Sequence, residues 1–264
     1  MNVRPVPGIS LRALAPNAVT AMALCTGLSG VWFAMQERWD AAVGAVVIAG
    51  ILDALDGRIA RLLKGESRFG AELDSLSDVI AFGVTPALIL YSWALQHMPR
   101  FGWTICIFFV LCAALRLARF NARIDNDDHP HKSAGFNTGV PSPAGAGMAL
   151  LPLVVWLETQ GQGQGGDMQM IGDLARDYRI VGPWLLLSAI LMISNVATYS
   201  WSSIRIRPSF RFFALAALGL IVAILIAAPW IGLILITIVY LGVLPFSIAG
   251  YAKVKRSRKI SQAP

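Results

Sequence analysis

The sequence predicts an all-α polytopic membrane protein of about eight transmembrane helices, and three observations carry that expectation. Of 264 residues, 56% are hydrophobic and only 14% charged, more apolar surface than a soluble domain of this size can hide. The apolar residues fall in runs of the length a bilayer requires, roughly 20 residues each. The basic residues sit almost entirely on one side of the alternation those runs define.

Taken in order, the first run is 18–36, entered through Pro16 and Asn17 and closed by Arg38. The second, 41–62, carries Asp53, Asp56, Arg58 and Arg61 at its far end, and the third, 72–97, carries Asp74 and Asp78 at its near end. The fourth, 101–121, follows Arg100 and ends among Arg116, Arg119 and Arg123; the fifth, 140–158, starts at Pro141 and Pro143, which cannot continue a regular helix ladder. The sixth is 180–201, the seventh 209–227 after Arg205 and Arg207, and the eighth 229–250, followed by the basic tail of residues 251–264. Between the fifth and sixth, a Gly- and Gln-rich stretch becomes amphipathic through Ile171, Leu174 and Tyr178, which reads as an outer connector with one interfacial turn.

An even number of spans puts both termini on one side. Only Arg38, Arg100, Arg176 and Arg179, of 22 Lys and Arg, then fall on the other, so both termini are expected in the cytoplasm. The whole chain, 1–264, reads as one membrane-embedded domain. Its net charge of +7 needs no nucleic acid, because a polybasic segment directly after an apolar helix is attracted to anionic lipid. Cys25, Cys106 and Cys112 lie in apolar runs and read as small buried hydrophobes. The first run lacks a cleavage site, no solenoid period or transporter-like inverted repeat is visible, and no P-loop is present.

The unusual residues are the carboxylates. Asp53 and Asp56 stand about 60° apart around a helix, with Ala60 and Arg61 on the same face. Gly70, Asp74 and Asp78 recur every fourth residue and form one stripe on the next helix. A short basic connection makes the two helices antiparallel, so the four carboxylates converge near one membrane face. Holding them there costs several kcal/mol each unless a cation offsets the charge. Oxygen-only ligation favours Mg²⁺ or Mn²⁺, with Ca²⁺ a further candidate, over zinc. His97, His129 and His131 lie away from this cluster and read as solvated. Gly57 and Gly70, with Ala60, read as close helix-packing residues; for Gly57 the alternative is a phosphate or sugar approaching backbone, which Arg61 nearby favours.

The run Asp53-x2-Asp56-Gly57-x2-Ala60-Arg61-x8-Gly70-x3-Asp74-x3-Asp78 resembles the full signature of the CDP-alcohol phosphotransferases, with every fixed position filled. The resemblance implies a CDP-linked alcohol as substrate, usually CDP-diacylglycerol, from which a second alcohol displaces CMP. It implies that Asp53, Asp56, Asp74 and Asp78 hold one or two metal ions and that Asp78 is also the general base. It places Gly57 and Arg61 at the nucleotide, with Ser67 and Gly70 in the same site, and with Asn17 and Thr20 lining the nucleotide pocket from the first helix. Read alone, Asn17 is only a helix cap.

Ala114-Leu-Arg116-Leu-Ala-Arg119-Phe-Asn121, followed by Phe136-x2-Gly139-x-Pro141-x-Pro143, is similar to the membrane-integral phosphatidylserine synthases of that superfamily. L-serine is then the expected acceptor, with Arg116, Arg119, Asn121 and Lys132 as candidates for binding it or the lipid phosphate. Ser194, Asn195 and Ser200 also fit that pattern, whereas the usual lysine two residues later is Ser202 here, with Arg205 or Arg207 as substitutes. The resemblance covers roughly residues 14–202. The expected setting is the bacterial cytoplasmic membrane with the site facing the cytoplasm, in a homodimer paired through apolar faces of the third and fourth helices. The alternatives are the same chemistry with glycerol 3-phosphate, inositol phosphate or choline, and, more remotely, a cation or proton carrier. Against the carrier, the aspartates gather at one face instead of crossing the bilayer.

Overall fold

The computed structural model describes residues 11–65, 67–124, 136–161, 166–194, 196–199 and 210–261. The chain is all-helical in class. Helices α1 (Leu11–Met35) and α2 (Trp39–Leu63) form an antiparallel pair; α3 (Arg68–Asp78) runs through a π-helical segment (Val79–Val84) into α4 (Thr85–Trp93) and a 3₁₀ turn (Leu95–His97). Then follow α5 (Gly102–Ile124), α6 (Ser142–Gly161), α7 (Asp167–Arg176), α8 (Tyr178–Ile193), α9 (Arg211–Ala227) and α10 (Pro229–Ser261). Strands β1 (Phe136–Thr138) and β2 (Ala197–Tyr199) make a short antiparallel ladder.

Each of the eight expected runs falls on a helix, and the differences have local causes. The third run is not one regular α-helix. Pro86 has no N–H, and its ring would strike the carbonyl of Phe82; widening the preceding turn to π geometry relieves both problems. The sixth run stops at Ile193 instead of continuing to 201, because Ser194 is extended and the chain is drawn into the ladder by Gly139 N–H donating to Val196 O at 2.7 Å. Gly139 is required there: its φ is +75°, and a Cβ would stand 2.6 Å from Met192 O. The interfacial turn is a full helix, α7, seated on α6 and turning Met170, Ile171 and Leu174 outward. Cys25 is exposed on the outer face of α1, contrary to the expected burial, while Cys106 and Cys112 are buried.

Among the described residues, four segments are long and apolar enough to cross a membrane: Leu14–Met35, Arg68–Trp93, Gly102–Ala122 and Pro229–Ser247. Large apolar side chains stand exposed along them and along α9, as in Phe212, Ile226 and Phe246, which water would not tolerate but lipid does. The chain is an integral membrane protein. Its interior is held by small residues that bring backbones together: a Cβ on Gly27 would sit 2.6 Å from Ala81 Cβ, and Ala23, Ala42, Ala45 and Ala49 are buried between α1, α2 and the π segment. Phe82, Trp93, Phe109 and Leu153 fill the remaining core.

Candidate active site

The C-terminal turn of α2 sets the geometry. Lys64 takes the left-handed conformation, with its N–H on Arg61 O and Gly65 N–H on Ala60 O, so the helix stops sharply and α3 begins four residues on. Ser67 caps α3, its Oγ accepting from Gly70 N–H at 3.0 Å. The two carboxylate-bearing faces are thereby brought together. Oxygens of Asp53, Asp56 and Asp74 lie within 4.8 Å of one another, the separation a single ion spans. Asp78 lies beside Asp53, and its Oδ1 is buried without a hydrogen-bond partner.

Neighbouring helices fix these groups. Thr20 of α1 is buried, and its hydroxyl donates to Asp56 Oδ2 at 2.6 Å across the helix pair. Ser77 Oγ reaches Thr20 O at 3.4 Å, tying α3 to α1, and Asn121 Nδ2 donates to Ser75 Oγ at 3.0 Å, tying α3 to α5. The cluster fits a divalent cation: all donors are carboxylate oxygens, and one of them, Asp56, is oriented by a hydroxyl behind it.

Asn17, Ser67 and Gly70 meet at one corner. A Cβ on Gly70 would be 2.7 Å from Asn17 Oδ1 and 3.1 Å from Ser67 Oγ, so this glycine makes room for Asn17. Gly57 is different. Open space surrounds it, and the nearest group beyond its own helix backbone is the Arg61 guanidinium, with Nη1 4.0 Å from where a side chain would begin. That excludes helix packing as the reason for Gly57 and leaves a backbone surface open beside an exposed cation.

The cations of α5 divide. Arg119 donates to Ile193 O at 3.0 Å and Ser194 O at 3.2 Å, closing the C-terminus of α8. Arg116 is half-buried, donates through Nη1 to the Ser142 hydroxyl at the start of α6, and keeps Nε buried without a partner. It lies within electrostatic reach of Asp78. Lys132, Asn195, Ser200, Ser202, Arg205 and Arg207 lie outside the described residues, as do His129 and His131. Sequence reasoning missed Ser75, Ser77 and Ser142, ordinary serines whose partners are on other helices. It also passed over Tyr240 of α10, within electrostatic reach of Arg116.

A depression of about 460 Å³ lined by Trp93, His97, Asp173, Arg176 and Asp177 lies at the far end of α4 from the aspartates. Two of its charged groups already serve structure. Arg176 stacks on Trp156 and donates to Trp93 O at 3.4 Å, and Asp177 caps α8.

Comparison with known proteins agrees with this geometry. A CDP-alcohol phosphatidyltransferase profile matches residues 13–258. The chain is 34% identical over 241 residues to the CDP-diacylglycerol--serine O-phosphatidyltransferase of Mycobacterium bovis, covering 91% of this chain and 80% of that protein. It is 36% identical over 183 residues to the enzyme of the same name from Helicobacter pylori, covering 69% and 70%. With that of Methanocaldococcus jannaschii it shares 44% identity over 101 residues, 38% of this chain and 44% of that protein.

Proposed function

The chain belongs to the CDP-alcohol phosphatidyltransferase family, and from that premise we propose that it is a phosphatidylserine synthase, transferring the phosphatidyl group of CDP-diacylglycerol to L-serine and releasing CMP. The observation that carries the chemistry is the convergence of Asp53, Asp56 and Asp74 beside an unpartnered Asp78 oxygen. Similarity over most of the chain to relatives named for transfer to serine carries the acceptor.

In this reading the four aspartates hold Mg²⁺ or Mn²⁺, with Ca²⁺ as a further candidate. When bound, the ion neutralises charge on the diphosphate as CMP departs. Asn17, Thr20, Ser67 and Gly70 form one wall of the nucleotide site; Gly57 offers backbone and Arg61 a guanidinium to the phosphates. Asp78 Oδ1 takes the proton of the serine hydroxyl while that oxygen bonds to the phosphatidyl phosphorus and the bond from phosphorus to the CMP oxygen breaks. No protein nucleophile is required, so the transfer is a direct displacement. Of the four acceptor candidates, Arg116 has the unused buried donor, whereas Arg119 and Asn121 hold α8 and α3 in place.

The reading includes eight spans with both termini cytoplasmic, the site facing the cytoplasm of a bacterial inner membrane, and pairing of two copies through apolar faces on which Leu76, Phe108 and Leu111 are exposed. Its test is product formation by purified protein given CDP-diacylglycerol, Mn²⁺ or Mg²⁺, and serine, glycerol 3-phosphate, inositol phosphate or choline one at a time. Phosphatidylserine and CMP appearing with serine alone is the expected result. Turnover with another alcohol reassigns the acceptor, and no CMP under any condition refutes the transferase.

A further inference from the structure

Among the described residues, five side-chain polar atoms are buried without a partner, and three of them belong to one neighbourhood: Asp78 Oδ1, Arg116 Nε and the Tyr240 hydroxyl. Arg116 lies within electrostatic reach of both other groups. The three come from α3, α5 and α10, and their depths agree. Counted from the helix or span end on the expected cytoplasmic side, Asp78 lies about 15 Å in from Arg68, Arg116 about 12 Å from Ile124, and Tyr240 about 10 Å from Ser247, where the apolar part of α10 ends. Ser142 fixes one arm of the Arg116 guanidinium from the start of α6, against which α10 packs. Buried polar atoms are ordinarily satisfied, and a set left open around a reaction centre points to a ligand that completes it.

The orphans specify that ligand by their hydrogen-bonding character. Arg116 Nε–H and the Tyr240 O–H are donors, while Asp78 Oδ1 is an acceptor. A small molecule satisfying all three carries an anionic group for the donors and, a short distance away, a hydroxyl for the carboxylate. L-serine has that pattern; choline, which has no anion, does not. We propose that Tyr240 is a specificity-determining residue of the acceptor site, its hydroxyl donating together with Arg116 Nε to the carboxylate of the incoming amino acid. This rests on the reading of the protein as a phosphatidyl transferase to serine. It gives the last helix, whose sequence is otherwise only apolar, a part in substrate choice.

The test is steady-state kinetics of the full-length protein in detergent or liposomes with CDP-diacylglycerol and Mn²⁺, using L-serine, L-serinamide and glycerol 3-phosphate as acceptors. If the wild-type protein shows no serine-dependent CMP release, the serine reading fails, whatever Tyr240 does. If it does, Tyr240→Phe should raise the KM for L-serine about tenfold, the worth of one hydrogen bond to a charged group, and leave the KM for CDP-diacylglycerol unchanged. The KM for L-serinamide, whose neutral carbonyl oxygen accepts more weakly than a carboxylate, should rise clearly less. An unchanged serine KM, or an equal rise for serinamide, overturns the proposal. The wild type supplies a second check should the variant not fold: its KM for serinamide should exceed that for serine by about tenfold or more, and equal values overturn the carboxylate contact. Turnover with glycerol 3-phosphate and none with serine overturns the carboxylate contact together with the serine reading.

Discussion

Replacing Thr20 with Val keeps the shape of a buried side chain and removes one hydroxyl. In the structure that hydroxyl sits 2.6 Å from Asp56 Oδ2, linking residues 36 apart in sequence, and Thr20 is only 4% exposed, so no water takes its place. Without it, Asp56 keeps the Gly57 N–H but loses the one neighbouring side chain that sets its rotamer. A hydrogen bond to a charged group contributes about 1.5–3 kcal/mol, and loss of an orienting contact behind a metal ligand typically weakens the metal by about 10- to 100-fold. The two figures agree, since about 1.4 kcal/mol is a factor of ten. Thr20→Val should therefore raise the half-saturating Mn²⁺ concentration for CMP release by about 10- to 100-fold, with activity recovering at high metal. Thr20→Ser, which restores the hydroxyl, should return it close to wild type. A Thr20→Val protein with an unaltered melting profile and an unaltered Mn²⁺ curve would refute the idea that α1 positions the metal ligands of α2.

Gly70→Ala should separate stability from binding: alanine is better in a helix by up to about 1 kcal/mol, so the melting temperature should hold or rise. The added methyl nevertheless displaces Asn17 Oδ1, now 2.7 Å away, and should raise the KM for CDP-diacylglycerol about tenfold; an unchanged KM refutes a role for this corner. Asp78→Asn should retain CDP-diacylglycerol binding and lose nearly all turnover, and wild-type turnover would remove Asp78 as the base. Arg61→Ala should weaken CDP-diacylglycerol and CMP together in a binding assay, and equal affinities would show that its guanidinium only covers Gly57.

How much of this was legible in the sequence follows from the range of the interactions. The helical runs and the two aspartate stripes depend on periodicity and on a short connection, which are local; every run coincides with helix, the sixth only as far as Ile193, and Asp53, Asp56 and Asp74 converge. The π segment at Val79–Val84 was not legible, although its cause, Pro86, is a single visible residue, because a proline in an apolar run is equally compatible with a kink or a break. Arg119 shows the opposite limit. As one of three arginines at a helix end it reads as a candidate for binding; that it also bonds the backbone carbonyls of Ile193 and Ser194 could not be foreseen, because carbonyls carry no sequence signal. Tyr240 was invisible for a third reason: its significance lies in what it lacks, a hydrogen-bond partner for a buried hydroxyl. The same physics separates the two arginines. Arg119 donates to two backbone carbonyls at the end of α8, while Arg116 is fixed by Ser142 at one nitrogen and left open at another. A guanidinium buried with a donor unused costs stability that evolution could recover with one more hydroxyl nearby. That the interior instead sets it beside an open carboxylate oxygen and an open phenol is the strongest structural argument that this end of the site is built for a ligand.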